Sequence, residues 1–303
     1  MAATGTGTAA DPYVVDNWTD FLTVCNVSVT TYVFWANKES EDEKVVDFND
    51  IAPYGIESKY QFKGNIDFNG WTIQNVWVRN SDFLYLREAQ IYNLKILNAK
   101  MEALAGGTRS FIELYDTSTN NFLMQNVEIS LEIVATAQVN IFKFSTAYGK
   151  INGLGLNVYG TSSDIVYIGT SQNTGGVPII ASSIHCELQA NLTSSLEIFY
   201  RTNLIQCDVS GYYYDDSSGT SPIVVGYINS ALNYIRLRSN KDIVYGGNGL
   251  SLRVDEHYTG EIIRPNLLNA SEKVIVVSPT QATHNQADIL AAGFPLHAEI
   301  VEE

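Results

Sequence analysis

A degenerate six-residue phrase, apolar, any, Asn, apolar, any, apolar, recurs down most of this chain and constrains its fold more than any other feature. Ile73-Gln74-Asn75-Val76-Trp77-Val78 is followed by Ile91-Tyr92-Asn93-Leu94-Lys95-Ile96, Met124-Gln125-Asn126-Val127-Glu128-Ile129 and Ile151-Asn152-Gly153-Leu154-Gly155-Leu156. Weaker copies are Ser183-Ile184-His185-Cys186, Leu204-Ile205-Gln206-Cys207 and Tyr234-Ile235-Arg236-Leu237. Anchored on residues 76, 94, 127, 154, 184, 205 and 235, the steps are 18, 33, 27, 30, 21 and 30, about 26.5 on average. Such a period matches one coil of a solenoid whose strands are constant and whose turns vary in length.

The phrase also encodes a corner. In a flat strand, side chains return to the same face every second residue, whereas here the apolar positions stand three and then two apart. The chain bends at the Asn, a residue that tolerates the left-handed conformation a sharp bend needs. Equivalent Asn side chains about 4.8 Å apart on stacked coils would bond one to the next. Asn75, Asn93 and Asn126 are expected to form such a ladder, with Gly153 taking the place where the left-handed geometry alone suffices.

A second short strand precedes each later phrase. It is carried by Phe83-Leu84-Tyr85-Leu86, Phe111-Ile112-Glu113-Leu114, Ile141-Phe142-Lys143-Phe144, Ile165-Val166-Tyr167-Ile168 and weaker copies at 196–200, 223–225 and 243–245. Helical periodicity is absent from about residue 60 to 265. Composition agrees: 45% of residues are hydrophobic and only 17% charged, and the polar remainder is turn chemistry. The expectation is an all-β chain, a right-handed parallel β-helix with short capping helices at both ends. A β-sandwich would supply similar strands but no reason for Asn at one corner in three consecutive repeats.

The segments divide as 1–58, an N-terminal arm and cap; 59–265, the β-helix; and 266–303, a C-terminal cap and tail. In the first, Trp18, Phe21, Leu22 and Cys25 fall at helical spacing behind Asp16 or Asn17 as N-cap. In the last, Ser278 with Gln281, or Thr283 with Gln286, opens a helix that Gly293 and Pro295 close. The tail from Pro295 reads either as an extended arm toward a neighbouring subunit or as a frayed end.

With 18 Lys plus Arg against 33 Asp plus Glu, the formal charge is −15, which repels phosphate backbones and argues against nucleic-acid binding. The acidic run Glu39, Glu41, Asp42 and Glu43, flanked by Lys38 and Lys44, reads as a solvated loop rather than a cation site. The start of the chain shows no secretory pattern, and no apolar stretch approaches the roughly 20 residues needed to insert in a bilayer. The expectation is a chain made and kept in the cytoplasm of its producing cell. Cys25, Cys186 and Cys207 fit neither a zinc spacing nor a disulfide framework. Cys186 and Cys207 take equivalent places in their phrases, so adjacent coils are expected to bring their Cα atoms about 4.8 Å apart, as a stacked thiol pair.

Many β-helices cleave polysaccharides, which makes the carboxylates and histidines worth testing. The pectinase-like pattern of Asn-x-Asp, Asp-Asp, Gly-His-Gly and Arg-x-Lys is answered only by Asp215-Asp216, and none of the four histidines has the glycine context. Asp215 and Asp216 follow Tyr212, Tyr213 and Tyr214, so they could act as acid and base beside rings that stack on sugar. The same residues are equally good loop chemistry. A lyase would draw on Arg201, Arg236, Arg238 and His185, each of which also reads as an ordinary surface group. No cofactor motif and no metal motif is present.

Gly5-Thr6-Gly7-Thr8-Ala9-Ala10-Asp11-Pro12-Tyr13-Val14-Val15, with Gly64-Asn65-Ile66-Asp67-Phe68-Asn69-Gly70-Trp71-Thr72-Ile73, resembles the opening of bacteriophage β-helix proteins. Those are tail spikes, fibres and capsid-bound appendages, and the likeness runs from about residue 5 to 265. The segment Gln286 to Pro295 is similar to short closing segments of phage structural proteins. The resemblance implies a virion structural protein, a surface appendage or decoration assembled as a homotrimer in the host cytoplasm. Its partners would be other capsid or tail proteins, with exposed tyrosines such as Tyr212, Tyr213 and Tyr214 touching a host glycan. It carries over no catalytic residue. A polysaccharide depolymerase is the first alternative and a bacterial surface adhesin the second.

Overall fold

The computed structural model describes residues 3–25, 28–104, 106–115, 122–145, 149–171, 177–180, 183–192, 196–198 and 202–215. Beyond these it describes strands at 223–225, 231–239, 243–245, 250–254, 262–263, 274–278 and 299–302; side chains are described to residue 170 and at 184–186. Every pairing between named strands is parallel, and the chain is a parallel β-helix, as the repeated phrase predicts.

The first coils contain β1 (Tyr13–Val15), β2 (Thr31–Trp35), β3 (Val45–Asp47), β4 (Tyr60–Asp67), β5 (Thr72–Gln74) and β6 (Trp77–Arg79). Next come β7 (Leu84–Tyr92), β8 (Lys95–Ala103), β9 (Arg109–Tyr115), β10 (Phe122–Ala135), β11 (Val139–Ser145), β12 (Gly149–Ser162) and β13 (Val166–Ser171). Then follow β14 (Val177–Ile180), β15 (Ser183–Leu192), β16 (Leu196–Ile198), β17 (Thr202–Asp215), β18 (Ile223–Val225) and β19 (Ala231–Ser239). The last are β20 (Ile243–Tyr245), β21 (Leu250–Val254), β22 (Ile262–Ile263), β23 (Val274–Ser278) and β24 (Glu299–Glu302).

Three ladders arise because long strands bend and pair separately on either side of the bend. The start of β7 pairs with β9, while its end pairs with β10. One ladder runs through β7, β9, β11, β13, β16, β18, β20 and β22. A second carries β1, β2, β4, the end of β7 and the start of β10 and β12. The third carries β3, β5, β8 and the later parts of β10, β12, β15 and β17, then β19, β21, β23 and β24.

This register stacks like on like. Ile66, Ile91, Met124 and Ile151 form one buried column, and Ile73, Ile96, Ile129, Leu156 and Cys186 another. Burying an aliphatic side chain contributes about 1.5–3 kcal/mol, so each coil adds its own increment of core. Aromatic packing concentrates near the N-terminal end. α1 (Trp18–Val24) lies between β1 and β2 in the chain and starts at Asn17, whose side chain accepts from the Asp20 N–H at 2.8 Å. Its Trp18 touches Phe21, Trp35, Phe48, Tyr60 and Phe83 with ring centroids 5.0–6.5 Å apart. The expected N-terminal cap is therefore present. Cys25, just after α1, lines a small apolar void with Phe21, Tyr60 and Phe62, and burial pushes its thiol up to about 12.

The Asn ladder is real but differently composed. Asn93 and Asn126 stack, with Asn126 Nδ2 donating to Asn93 Oδ1 at 3.0 Å and Asn93 Nδ2 donating to Asp67 Oδ1 at 2.9 Å. Both have positive φ, 54° and 55°, and Gly153 follows at 71° on the next coil. Asn75 does not belong to this ladder. Gln74 pairs with Leu97, which puts Asn75 beside Asn98 at the next corner, both with positive φ (58° and 51°). Asn75 instead donates to both carboxylate oxygens of Asp47 at 3.0 Å. The phrase at 73–78 thus repeats one corner later than those at 91–96 and 124–129, and the 18-residue step is not a coil.

The later phrases also shift. Ile184 pairs with Val209, and Cys186 with Gly211, while Cys207 pairs with Leu232. Cys186 and Cys207 are therefore not opposite one another, and the expected thiol pair is not formed by the register. Parallel pairing starts at β1 and continues through β23 to β24. Glu299–Glu302 is a strand on Ile275–Ser278 rather than an arm reaching a neighbour. The C-terminal capping helix expected between 279 and 295 lies outside the described residues. The acidic run forms a short 3-10 turn at Glu41–Glu43, where Lys44 pairs with Glu41 at 3.0 Å.

At Asn93, substitution by Ala removes two amide bonds and leaves a Cβ residue in the left-handed region without local compensation. Urea unfolding should show Asn93→Ala less stable by about 2–3 kcal/mol. Asn93→Gly, which relieves the backbone term, should lose roughly 1 kcal/mol less. Equal losses would show that the backbone conformation does not matter at this corner.

Candidate functional site

The sequence places its candidate glycan site at 212–216. Tyr212, Tyr213, Tyr214 and Asp215 form the last part of β17, so this segment is strand rather than loop up to Asp215; Asp216 lies outside the described residues. By backbone register Tyr212 stands between Glu187 and Arg238, Tyr213 between Leu188 and Ser239, Tyr214 beside Gln189, and Asp215 beside Ala190. Two of the scattered lyase candidates fall in one row: His185 pairs with Ser210, Ser210 with Arg236, and Arg236 with Arg253. Arg238 is in the adjacent row with Tyr212, and Arg201 lies outside the described residues.

A denser cluster of ionisable groups lies on the ladder of β7, β9 and β11. Register aligns Tyr85, Glu113 and Lys143 on three successive coils. Glu113 is buried, at 7% exposure, and both its carboxylate oxygens are engaged: Lys143 Nζ is 3.0 Å from Oε1 and Lys59 Nζ is 3.9 Å from Oε2. Lys59 also sits 3.8 Å from Asp82 Oδ2 and 4.2 Å from the centre of the Tyr85 ring. The Tyr85 and Tyr115 rings stack with centroids 5.7 Å apart. Burial first, then the charges of Glu113 and Tyr115, push the Tyr85 phenol up, with Arg87 pulling the other way.

Below this row the Asp82 Oδ1 accepts from the Ser110 N–H at 2.8 Å, and Asn140 Nδ2 donates to Ser110 Oγ at 3.2 Å. Lys63 pairs with Glu88 at 3.0 Å at the next bend, where Glu88 has φ 49°. The chemistry is that of a staple. Two ammonium groups saturate one buried carboxylate and tie the coils of Lys59, Glu113 and Lys143 together.

Aromatic side chains face outward elsewhere. Register aligns Trp77, Lys100, Glu132 and Tyr159 across four coils. The Arg79 guanidinium lies 5.0 Å and the Lys100 ammonium 6.0 Å from the Trp77 ring centre. Tyr159 is 38% exposed, and Tyr54, in the loop before β4, is 83% exposed.

Among the described residues no group of three His, Cys, Asp or Glu side chains is placed to hold a metal ion, and no helix is long and apolar enough to cross a membrane. The Lys59–Glu113–Lys143 cluster was not singled out from the sequence because its members are far apart in the chain. A signal existed: Glu113 and Lys143 fill the same third position in Phe111-Ile112-Glu113-Leu114 and Ile141-Phe142-Lys143-Phe144. No family model matches this chain, and neither a curated protein nor a solved structure matches it.

Glu113→Gln should lower stability by about 1–3 kcal/mol, because the partly buried Lys143 ammonium loses its close counter-charge while Lys59 keeps only Asp82. A chemical-denaturation midpoint unchanged from the parent would remove the staple role. Asp47 supplies a pH signature. The Asn75 side chain, then the Asn49 N–H and Gln74, hold its carboxyl below its ordinary value of 3.8 against the opposing effect of burial. A carboxyl depressed in the folded state contributes stability above its unfolded pKa and loses it as pH falls through the folded value. Asp47→Asn should therefore lose less stability than the parent between pH 5 and roughly pH 2.

Proposed function

We propose that this chain is a bacteriophage virion structural protein, a surface appendage of fibre, spike or decoration type that acts in attachment or particle stabilisation. The observation that carries the reading is the stack itself. Parallel pairing links the described strands from Tyr13 to Glu302, and polar side chains tie coil to coil, as in Asp67–Asn93–Asn126 and Lys59–Glu113–Lys143, a build that supports a structural role. The two segments that resemble phage β-helix proteins fit this reading. Gly5 to Val15 comprises a loop and the first strand, β1, onto which the loop folds, and Gly64 to Ile73 spans a corner between two ladders.

In this proposal three copies associate, the partners are other virion proteins, and the protein acts without catalysis. Host glycan would be met by aromatics, with Tyr212, Tyr213 and Tyr214 on β17 as the contact candidates. Backbone alternation puts Tyr212 and Tyr214 on one face of the strand and Tyr213, in the row of Leu188, on the other. A polysaccharide-cleaving reading is favoured by one observation, the shared row of His185, Arg236 and Arg253 beside the row of Tyr212 and Arg238. In that reading cationic groups would hold a uronate, with Asp215 and Asp216 as the acid and base candidates. Backbone alternation sets Asp215 on the other face of β17 from Ser210 and Tyr212.

Light scattering at several concentrations separates these readings. The chain is 33.5 kDa, so a closed trimer should hold at about 100 kDa on dilution. A mass of one chain at all concentrations would refute the self-assembled appendage. Polysaccharide shortening by the purified protein, abolished in Asp215→Asn, would replace the non-catalytic reading with the depolymerase.

A further inference from the structure

The outer edge of the first strand is closed by a purpose-shaped loop. β1 uses one side to pair with β2, and the Ala36 N–H donates to the Val15 carbonyl at 2.8 Å. On the other side only Val14 directs backbone groups outward, and Thr4 takes both: the Val14 N–H donates to the Thr4 carbonyl at 2.8 Å, and the Thr4 N–H donates to the Val14 carbonyl at 3.2 Å. Pro12, just ahead of the strand, has no N–H to offer. A bare row of such groups is a template for another chain.

The loop is held in shape independently of that bridge. The Asp11 carbonyl accepts from the N–H groups of Thr6 and Thr8, both at 3.1 Å, and the Gly7 carbonyl accepts from the Tyr32 N–H of β2 at 3.0 Å. Gly5 and Gly7 have φ of 93° and 73°; a Cβ on Gly5 would lie 2.1 Å from the Pro12 carbonyl oxygen, and one on Gly7 2.3 Å from the Tyr13 ring. A related single-residue bridge, parallel rather than antiparallel, occurs at β6, where the Ile56 N–H donates to the Trp77 carbonyl at 2.6 Å and its carbonyl accepts from the Arg79 N–H at 2.9 Å. In both places one residue of a preceding loop bridges a three-residue strand.

We infer that Ala3–Asp11 is an edge guard that keeps a second copy of this chain from adding to β1. Without it the Val14 groups are free, and two copies pair antiparallel through the same edge, the isologous contact expected of identical surfaces. This inference stands apart from the virion reading, since it concerns the first coil alone.

The test compares the full chain with a variant lacking residues 1–10, by light scattering with circular dichroism to verify the sheet. The truncated protein should show at least twice the mass of the full-length particle, whatever that mass is. Val14→Pro in the truncated chain removes the donor that the guard normally occupies, without touching a bond to β2, and should restore the full-length mass. A truncated chain of unchanged mass, or a gain in mass that Val14→Pro leaves in place, overturns the inference. Should truncation erase the sheet signal, Gly5→Val in the full chain, which displaces the guard by its clash with Pro12, must show the same doubling and the same reversal by Val14→Pro; failure of either is decisive against it.

Discussion

Backbone pairing between consecutive coils, about 4.8 Å apart and parallel throughout, is the constraint from which the rest of this structure follows. Once Ile66 lies over Ile91 and Met124, each inward position becomes a column, and a column of apolar side chains is its own core. The same rule makes trouble outside. Identical charges directly opposite repel, and opposite charges meet in several rows, as Lys100 with Glu132 and Glu113 with Lys143, while Arg236 opposite Arg253 departs from this. Amides escape the problem because each is both donor and acceptor. That is why Asn can repeat at a corner, whereas a repeated carboxylate could not.

An amide ladder nevertheless has a direction and needs a first acceptor. Asp67 supplies it for Asn93 and Asn126, and Asp47 supplies it for Asn75. In both cases the acid lies one coil before the Asn, where an acceptor-only group costs nothing in lost donors. Gly153 continues the first ladder by backbone shape alone, its position for a Cβ 3.4 Å from Asn126 Oδ1.

The fold class was legible in the sequence because columns and corners leave marks at every repeat, and the capping residue Asn17 and the buried pair Trp18 and Phe21 were legible from helical spacing. Register was legible only where neighbouring phrases are intact. Asn93 and Asn126 were matched correctly, while Asn75 sits in the same local phrase at a different corner, and local pattern cannot say which corner a phrase occupies. Cys186 and Cys207 were misaligned for the same reason: Ile205 pairs with Ile180 and Ala231, not with Ile184. The Lys59–Glu113–Lys143 cluster needed three registers at once. The row of His185, Arg236 and Arg253 depends on register in the same way, since Arg253 belongs to no copy of the phrase.

The aromatic plug around Trp18 has a consequence for how the chain comes into being. It is complete once residues up to Phe83 are available, because Phe21, Trp35, Phe48, Tyr60 and Phe83 are all its neighbours. During synthesis, the N-terminal part of a chain is free to fold first, and strand pairing links each coil only to its predecessor and successor. The plug therefore needs nothing beyond Phe83 to complete its aromatic contacts, so the first coils carry a packed core of their own before any later coil is added. Insertions in a turn, such as the longer path between Tyr92 and Gln125, lengthen a coil while its strands keep their place in the stack.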